Sequence, residues 1–241
     1  MEYICCGLIG YFIGTINPSY FIAKRRGFDI RTKGSGNAGA SNALILFGKL
    51  LGVICALLDI AKAYLAILLT EALFPEFRYA YAITGVACVI GHIFPFYMKF
   101  KGGKGLACLG GIVLYFNWKV FLIMLAVAIV IALITDYICF VPLTASFAFP
   151  FVYGFMEKDI WGPGILSVVT AVMIIKHIEN LQRIKSGTEM HLSYLWKPDA
   201  EIERMKRNLS EDAATIDAHF SGDNISLFLS LINQSISLKL H

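Results

Sequence analysis

Charge is scarce in this chain. Only 16% of its 241 residues are Asp, Glu, Lys or Arg, against 57% hydrophobic, and the mean hydropathy is +0.67. Soluble domains carry roughly a quarter charged residues, so that balance excludes one. The six cysteines (Cys5, Cys6, Cys55, Cys88, Cys108, Cys139) lie in or beside apolar segments with no CxxC spacing. They read as buried small hydrophobes, and no metal site or disulfide framework is expected. No basic leader precedes the first apolar run, and KRR stands behind it. The run is therefore a retained span and not a cleaved signal. The net charge of +4 is modest. Its basic clusters suit anionic headgroups or a phosphorylated substrate, and nucleic acid is not expected as a partner.

What the chain has in quantity is apolar runs: Tyr3 to Ala23, Leu50 to Phe74, Tyr79 to Tyr97, Leu106 to Phe116, Val120 to Ile134, Ile138 to Met156 and Trp161 to Ile175. Several approach the roughly 20 residues that cross a bilayer as a helix. An all-α polytopic membrane protein follows, with about seven spans and five as the alternative. Leu106 to Phe116 is short enough to be tilted, bent or re-entrant. Lys and Arg gather between runs one and two, after run three and after the last run. Basic residues at span ends stay in the cytoplasm, which puts the N-terminus outside and all three basic regions inside. Residues 1–198 form the membrane domain. From 199 to 241 the composition turns polar, and its last stretch, ISLFLSLINQSISL, is an amphipathic surface segment or a frayed tail.

Three polar clusters punctuate the apolar background. GSGNAG, Gly34 to Gly39, fits G-x-G-x-x-G, and Asp59 follows about twenty residues on, where a dinucleotide fold keeps its ribose-binding acid. That reading fails on context: the motif lies between two membrane helices and Asp59 lies inside the second. Small residues still let successive amides face one anion, although a glycine-rich interhelical turn would look the same. GHIFPFYMKFKGGKG, Gly91 to Gly105, brackets two glycines between Lys101 and Lys104 with His92 nearby. It is a phosphate-neutralising loop or a positive-inside anchor. KHIENLQRIKSGTE, Lys176 to Glu189, places His177 and Asn180 on one helical face with Arg183 a turn further. Within the second span, Asp59 and Lys62 sit about 14 to 18 Å below its start at 1.5 Å per residue. At that depth charges are paired or functional.

Together, NPSYFIAKRRGFDIRTKG, GSGNAGASN, GHIFPFYMKFKGGKG and HIENLQRIKSGTE resemble the N-terminal region and three motifs of the bacterial acyl-phosphate:glycerol-3-phosphate acyltransferases. The resemblance covers residues 8 to about 190. It implies an enzyme of the plasma membrane that opens phospholipid synthesis, moving an acyl group from acyl-phosphate to the sn-1 hydroxyl of glycerol 3-phosphate without a cofactor. It implies catalytic roles for Ser35, His92, Lys104, His177 and Asn180. It implies substrate binding by Gly34, Gly36, Asn37, Gly39, Asn42, Lys101, Gly102, Gly103, Gly105, Gly187 and Glu189. The chain departs from the pattern at Ile45, where the first motif usually ends in arginine. Ser41 and Cys108 replace threonines, and Asp136 and Pro142 stand where basic and serine residues are expected.

An acyl phosphate is already activated, so the protein must chiefly position, neutralise and desolvate. A base for the acceptor hydroxyl would be His92, His177 or a substrate phosphate oxygen. No histidine is followed five places later by aspartate, so the HxxxxD arrangement of other glycerolipid acyltransferases is absent. The alternatives from other classes are a transporter of an anionic solute and a paralogue that binds lipid phosphates without turning them over.

Overall fold

The structure is a computed structural model that describes residues 1–197 and, beyond them, Ala200, Glu201, Glu203, Arg204, Arg207 and Asn208. Within these residues all regular structure is helical, in nine α-helices joined by short turns and by two longer loops, 26–39 and 94–105. They are α1 Glu2–Thr15, α2 Pro18–Arg25, α3 Ala40–Phe47, α4 Lys49–Leu73, α5 Ala80–Ile93, α6 Leu106–Phe116, α7 Trp118–Thr135, α8 Phe140–Glu157 and α9 Trp161–Lys185. The segment 225–238, expected to be an amphipathic or frayed tail, lies outside the described residues.

Every apolar run of the sequence is helical. Six stretches are long and apolar enough to cross a membrane: Glu2–Arg25, Lys49–Leu73, Ala80–Met98, Trp118–Thr135, Phe140–Glu157 and Trp161–Lys185. The chain is a multi-pass integral membrane protein. The remaining run, α6, has 11 residues. At 1.5 Å per residue it is about 16 Å long, well short of the thickness of a ~30 Å hydrocarbon core.

The elements end where the sequence supplies a reason. Asn17 breaks the first span into α1 and α2: its side chain accepts from the Tyr20 amide at 2.8 Å and Pro18 occupies the first helical position. Asn117 starts α7 by accepting from the amides of Lys119 and Val120 at 2.9 and 3.2 Å. Gly48, at φ +87°, turns the chain between α3 and α4 through a conformation that disfavours a Cβ.

Helix α5 is the axis of the bundle. Helix α1 packs against it through Gly10, Gly14 and Gly91, where a Cβ would run into the carbonyls of Thr84, Cys88 and Tyr11. Backbones this close gain contacts that apolar lipid cannot replace, which is how small residues hold membrane helices together. The core joins α5 to α4, α6, α8 and α9 through residues such as Ile67, Val89, Ile112, Phe149 and Met173. Helix α7 is the outlier: Ala132 is its one buried residue. Its exposed apolar side chains, such as Leu122, Ile123, Val130 and Leu133, suit a lipid-facing helix.

Candidate active site

One cavity of about 290 Å³ joins a polar end to an apolar arm. Its polar end is built at two helix N-termini. Gly39 caps α3 and Gly105 caps α6, and neither helix receives a side-chain cap. Ala40 and Ser41 of the first helix, and Leu106 and Ala107 of the second, line the cavity. Amides in the first turn have no acceptor within their own helix, and each N-terminus carries about half a positive charge. Lys104, Asn37 and His92 complete this end, together with Asp59, whose carboxylate is paired with Lys62 at 2.7 Å. Two uncapped N-termini converging beside a lysine make a site for an anion. The apolar arm runs between α4, α6, α7 and α8, past Ile60, Leu109, Phe121, Met124, Leu125 and Ala145.

Lys104 reaches this position because the third cluster holds it. Its ammonium donates to Asn180 Oδ1. The Asn180 amide donates to Glu189 Oε1 at 2.5 Å, and Arg183 Nε donates to Glu189 Oε2 at 2.7 Å. Glu189 is brought back over α9 by Gly187, at φ +69°, with the amides of Thr188 and Glu189 bonded to the Arg183 carbonyl at 2.8 and 3.0 Å. Arg204 closes the loop from outside, donating to the carbonyls of Gly187 and Glu189 at 2.7 Å each. Part of the polar segment after 198 thus braces the site. Burial, with Arg183 nearby, pushes the Lys104 ammonium below its ordinary pKa.

The remaining residues of the three motifs divide into those that meet the cavity and those that shape it. Asn42 is fully buried, and its amide is spent on the loop itself. It donates to the carbonyls of Ile30, Lys33 and Asn37 at 2.9, 3.0 and 2.8 Å and accepts from the Ser35 amide at 2.8 Å. Gly34 and Gly36 supply left-handed turns at φ +60° and +71°. Ser35 is exposed and does not line the cavity, so the structure keeps it apart from Lys104. Gly102 and Gly103 fold onto the end of α5, their amides bonded to Ile93 O and His92 O at 2.9 and 3.1 Å. A Cβ on Gly103 would collide with the His92 ring. Lys101 is exposed, and its carbonyl accepts from Arg31 Nη1 at 3.3 Å. Arg31 also donates to Met98 O at 2.5 Å, tying the first loop to the second, and its hydrogen bonds hold the Asp29 carboxyl below its usual range. His177 is buried, with Nδ1 2.7 Å from the Met173 carbonyl.

Several contributors escaped the sequence reading. Asn17 holds the glycine loop through Ala38 O at 2.9 Å; the NPS stretch was visible, but its partner was not. The Asp59 and Lys62 pair has a third member. Lys62 Nζ lies 2.7 Å from Asp59 Oδ1 and 2.9 Å from His92 Nδ1, and it donates to Ile16 O at 2.5 Å. Asp59, His92 and Cys108 place potential metal ligands within 4.8 Å of one another, a grouping that the sequence reading did not anticipate. The Lys62 ammonium lies against two of the three, Asp59 and His92. Of the departures, Ile45 follows Ser41 by one turn on the same face of α3. Asp136 accepts from the amide and hydroxyl of Ser193 at 2.8 Å each.

The sequence profile described as "Glycerol-3-phosphate acyltransferase" matches residues 4–187. The chain belongs to this family. Among its relatives, glycerol-3-phosphate acyltransferase 2 of Thermotoga maritima is 38% identical over 184 residues, covering 76% of this chain and 92% of the relative. Glycerol-3-phosphate acyltransferase of Fusobacterium nucleatum is 32% identical over 193 residues, covering 78% and 97%. The crystal structure of PlsY (YgiH), an integral membrane glycerol 3-phosphate acyltransferase in its glycerol 3-phosphate form, superposes with a TM-score of 0.73 at 31% identity. That alignment covers 81% of this chain and 98% of the other. Its lysophosphatidic acid form gives 0.70 at 30% identity, covering 79% and 95%. Membership in this family decides between an acyltransferase and the transporter that the composition also allowed.

Replacing Lys104 removes the one side-chain cation at the polar end of the cavity. Lys104→Ala should lower acyl transfer by at least about 10-fold to 150-fold, the value of one charge-assisted hydrogen bond at roughly 1.5–3 kcal/mol. In the intact protein a lysine with a lowered pKa loses its charge earlier as pH rises. Activity should therefore fall on the alkaline side before the ordinary lysine value of 10.5. Lys104→Arg should move that limb upward. Steady-state rates across the pH range in folded variants check both, and normal turnover in Lys104→Ala would remove the lysine from the chemistry.

Proposed function

We infer that this chain transfers an acyl group from acyl-phosphate to the sn-1 hydroxyl of glycerol 3-phosphate, giving lysophosphatidate and inorganic phosphate. The observation that carries this reading is the two-ended cavity, with an anion site of two helix N-termini and Lys104 opening directly into an apolar arm. The donor is itself two-ended, a phosphate joined to an acyl chain. Its phosphate suits the amides and Lys104, and its chain suits the arm.

In the reaction, the acceptor oxygen forms a bond to the acyl carbon, and the bond from that carbon to the phosphate oxygen breaks. The electron pair leaves on phosphate, where the amides of α3 and α6 and Lys104 stabilise it. Such preorganised donors help most where water is excluded. The hydroxyl proton passes to a base, either a substrate phosphate oxygen or Nε2 of His177, which stands beside Lys104 behind the cavity wall. The His177 nitrogen is suited to that task, because its Nδ1 faces a carbonyl that can only accept, which puts the hydrogen on Nδ1 and the lone pair on Nε2.

Purified protein should release phosphate from acyl-phosphate only when glycerol 3-phosphate is present, with lysophosphatidate formed in equal amount. The same assay tests the missing arginine of the first motif. An arginine at 45 would stand one turn beyond Ser41, which lines the cavity, and its fork can clasp a phosphate. Ile45→Arg should lower the Michaelis constant for glycerol 3-phosphate about tenfold or more while leaving that for acyl-phosphate nearly unchanged. An unchanged or raised constant would mean that another residue holds the acceptor's phosphate. No release in a folded protein would overturn the acyltransferase reading.

The membrane is the bacterial plasma membrane, with residues 1–198 as the catalytic domain and the N-terminus outside. The basic residues around all three motifs support this orientation, since they hold their loops on the cytoplasmic side, and the bond between Lys104 and Asn180 supports α6 as a shortened seventh crossing, which brings the end of α9 back to that side. Cysteine introduced at the exposed Ser35 should react with an impermeant reagent in inverted vesicles and stay protected in intact cells. The reverse pattern would invert the topology.

A further inference from the structure

The group around His92 assigns that residue a role opposite to the base its position suggests. His92 is buried and lines the cavity, packed against the Gly103 backbone. Its Nδ1 faces Lys62 Nζ at 2.9 Å, with Oδ1 of Asp59, itself in the cavity wall, at 3.4 Å. No described residue bonds to Nε2. Lys62 in turn is held by Asp59 at 2.7 Å and by the Ile16 carbonyl at 2.5 Å. These contacts come from α4, α5 and the α1–α2 break. The thiol of Cys108 on α6 is a further titratable neighbour, with Cys88 beyond it, and Cys55 and Tyr97 stand near Asp59 and Lys62.

The proton positions follow from what each group can donate and accept. An ammonium has three donors and no acceptor. If Lys62 carries the charge that balances Asp59, its contact with His92 requires the lone pair on Nδ1, and the hydrogen sits on Nε2. If the charge sits instead on His92, both ring nitrogens carry hydrogens, and Nε2 again does. Nε2 has a free lone pair only when Lys62 and His92 are both neutral. That state leaves the buried Asp59 carboxylate with no compensating charge, which is strongly unfavourable, or leaves the proton on Asp59 although a far more basic amine lies 2.7 Å away. Both states that keep Asp59 ionised and balanced make Nε2 a donor.

We propose that His92 acts in the reaction as a hydrogen-bond donor through Nε2–H, directed at an oxygen of the acyl-phosphate, and that Lys62 and Asp59 are positioning residues that hold this tautomer. The role rests on the reading of the cavity as the acyl-transfer site. His177, with its hydrogen on Nδ1, is the complementary case. The two histidines of the motifs are thereby divided into a donor and an acceptor by their buried neighbours.

The direct test is histidine-selective ¹⁵N NMR of the full chain in detergent without substrate. The chain has five histidines, and the His92 signal is identified by its loss in whichever of His92→Gln and His92→Asn folds, or by its contact with the Lys62 nitrogen in the unmodified protein. Across about pH 6 to 8, where a free imidazole would titrate, Nε2 should stay protonated. Lys62→Met leaves His92 to balance Asp59, so Nδ1, which faced the ammonium before, should take up a hydrogen and the ring should carry one on each nitrogen. A lone pair on Nε2 in the unmodified protein, or an unchanged His92 signal in folded Lys62→Met, overturns the proposal. Kinetics give a second readout. The glutamine of His92→Gln can donate but cannot serve as a base, so turnover should stay within about tenfold, whereas loss of a general base costs ~10²–10⁴. A loss of that larger size with an unchanged Michaelis constant would also overturn it. Because the tautomer is read without substrate, its failure would leave the acyltransferase reading standing, and absent acyl transfer would not alter the spectrum.

Discussion

A lysine ammonium is costly to take out of water unless something pairs with it, and this chain largely withdraws two, Lys62 and Lys104. Their solutions differ. Lys62 is neutralised outright by Asp59 at 2.7 Å and bonded to a carbonyl freed at the break in the first span. Lys104 instead meets the neutral amide oxygen of Asn180, and the carboxylate of Glu189 stands behind that amide. Its charge is supported but not quenched. One lysine is therefore structural and orders the residues beside it. The other keeps attraction in reserve for an anion.

Much of the fold serves these two arrangements. The break at Asn17 exposes Ile16 O to Lys62 and lets the Asn17 amide hold the glycine loop at Ala38. The close approach of α1 to α5, possible only because Gly10, Gly14 and Gly91 lack side chains, brings that break to the depth of Asp59. Gly103 lies where a side chain would displace the His92 ring. On the opposite flank, the chain after α9 returns through Gly187 so that Glu189 reaches Asn180, and Arg204 fastens the return. Polar backbone at membrane depth is tolerated where it lines a cavity, and the starts of α3 and α6 are such places.

The sequence carried the membrane class, the helical runs and the three motifs, because an apolar run and a glycine-lysine loop are local signals. It did not reveal which glycines meet the cavity. Gly39 and Gly105 do, while Gly34, Gly36 and Gly187 make turns and Gly102 and Gly103 pack against α5; all these uses demand the same residue. The family resemblance implied a binding role for Asn42, and four hydrogen bonds commit its amide to the loop. Asp59 and Lys62 were legible as a pair because they are three apart on one helix. Their link to His92 depended on how α4 packs with α5, which no local pattern encodes. The apolar arm was equally hidden, since Phe121 and Met124 look like any lipid-facing residues of α7.

A structure with a non-hydrolysable acyl phosphonate tests most directly whether one cavity holds both ends of the donor. The account predicts phosphonate oxygens within hydrogen-bond reach of Lys104 Nζ and the first amides of α3 and α6, a further oxygen facing His92 Nε2, and the alkyl chain lying between α4, α6 and α7. A phosphonate bound elsewhere, or a chain that leaves the arm empty, would contradict it.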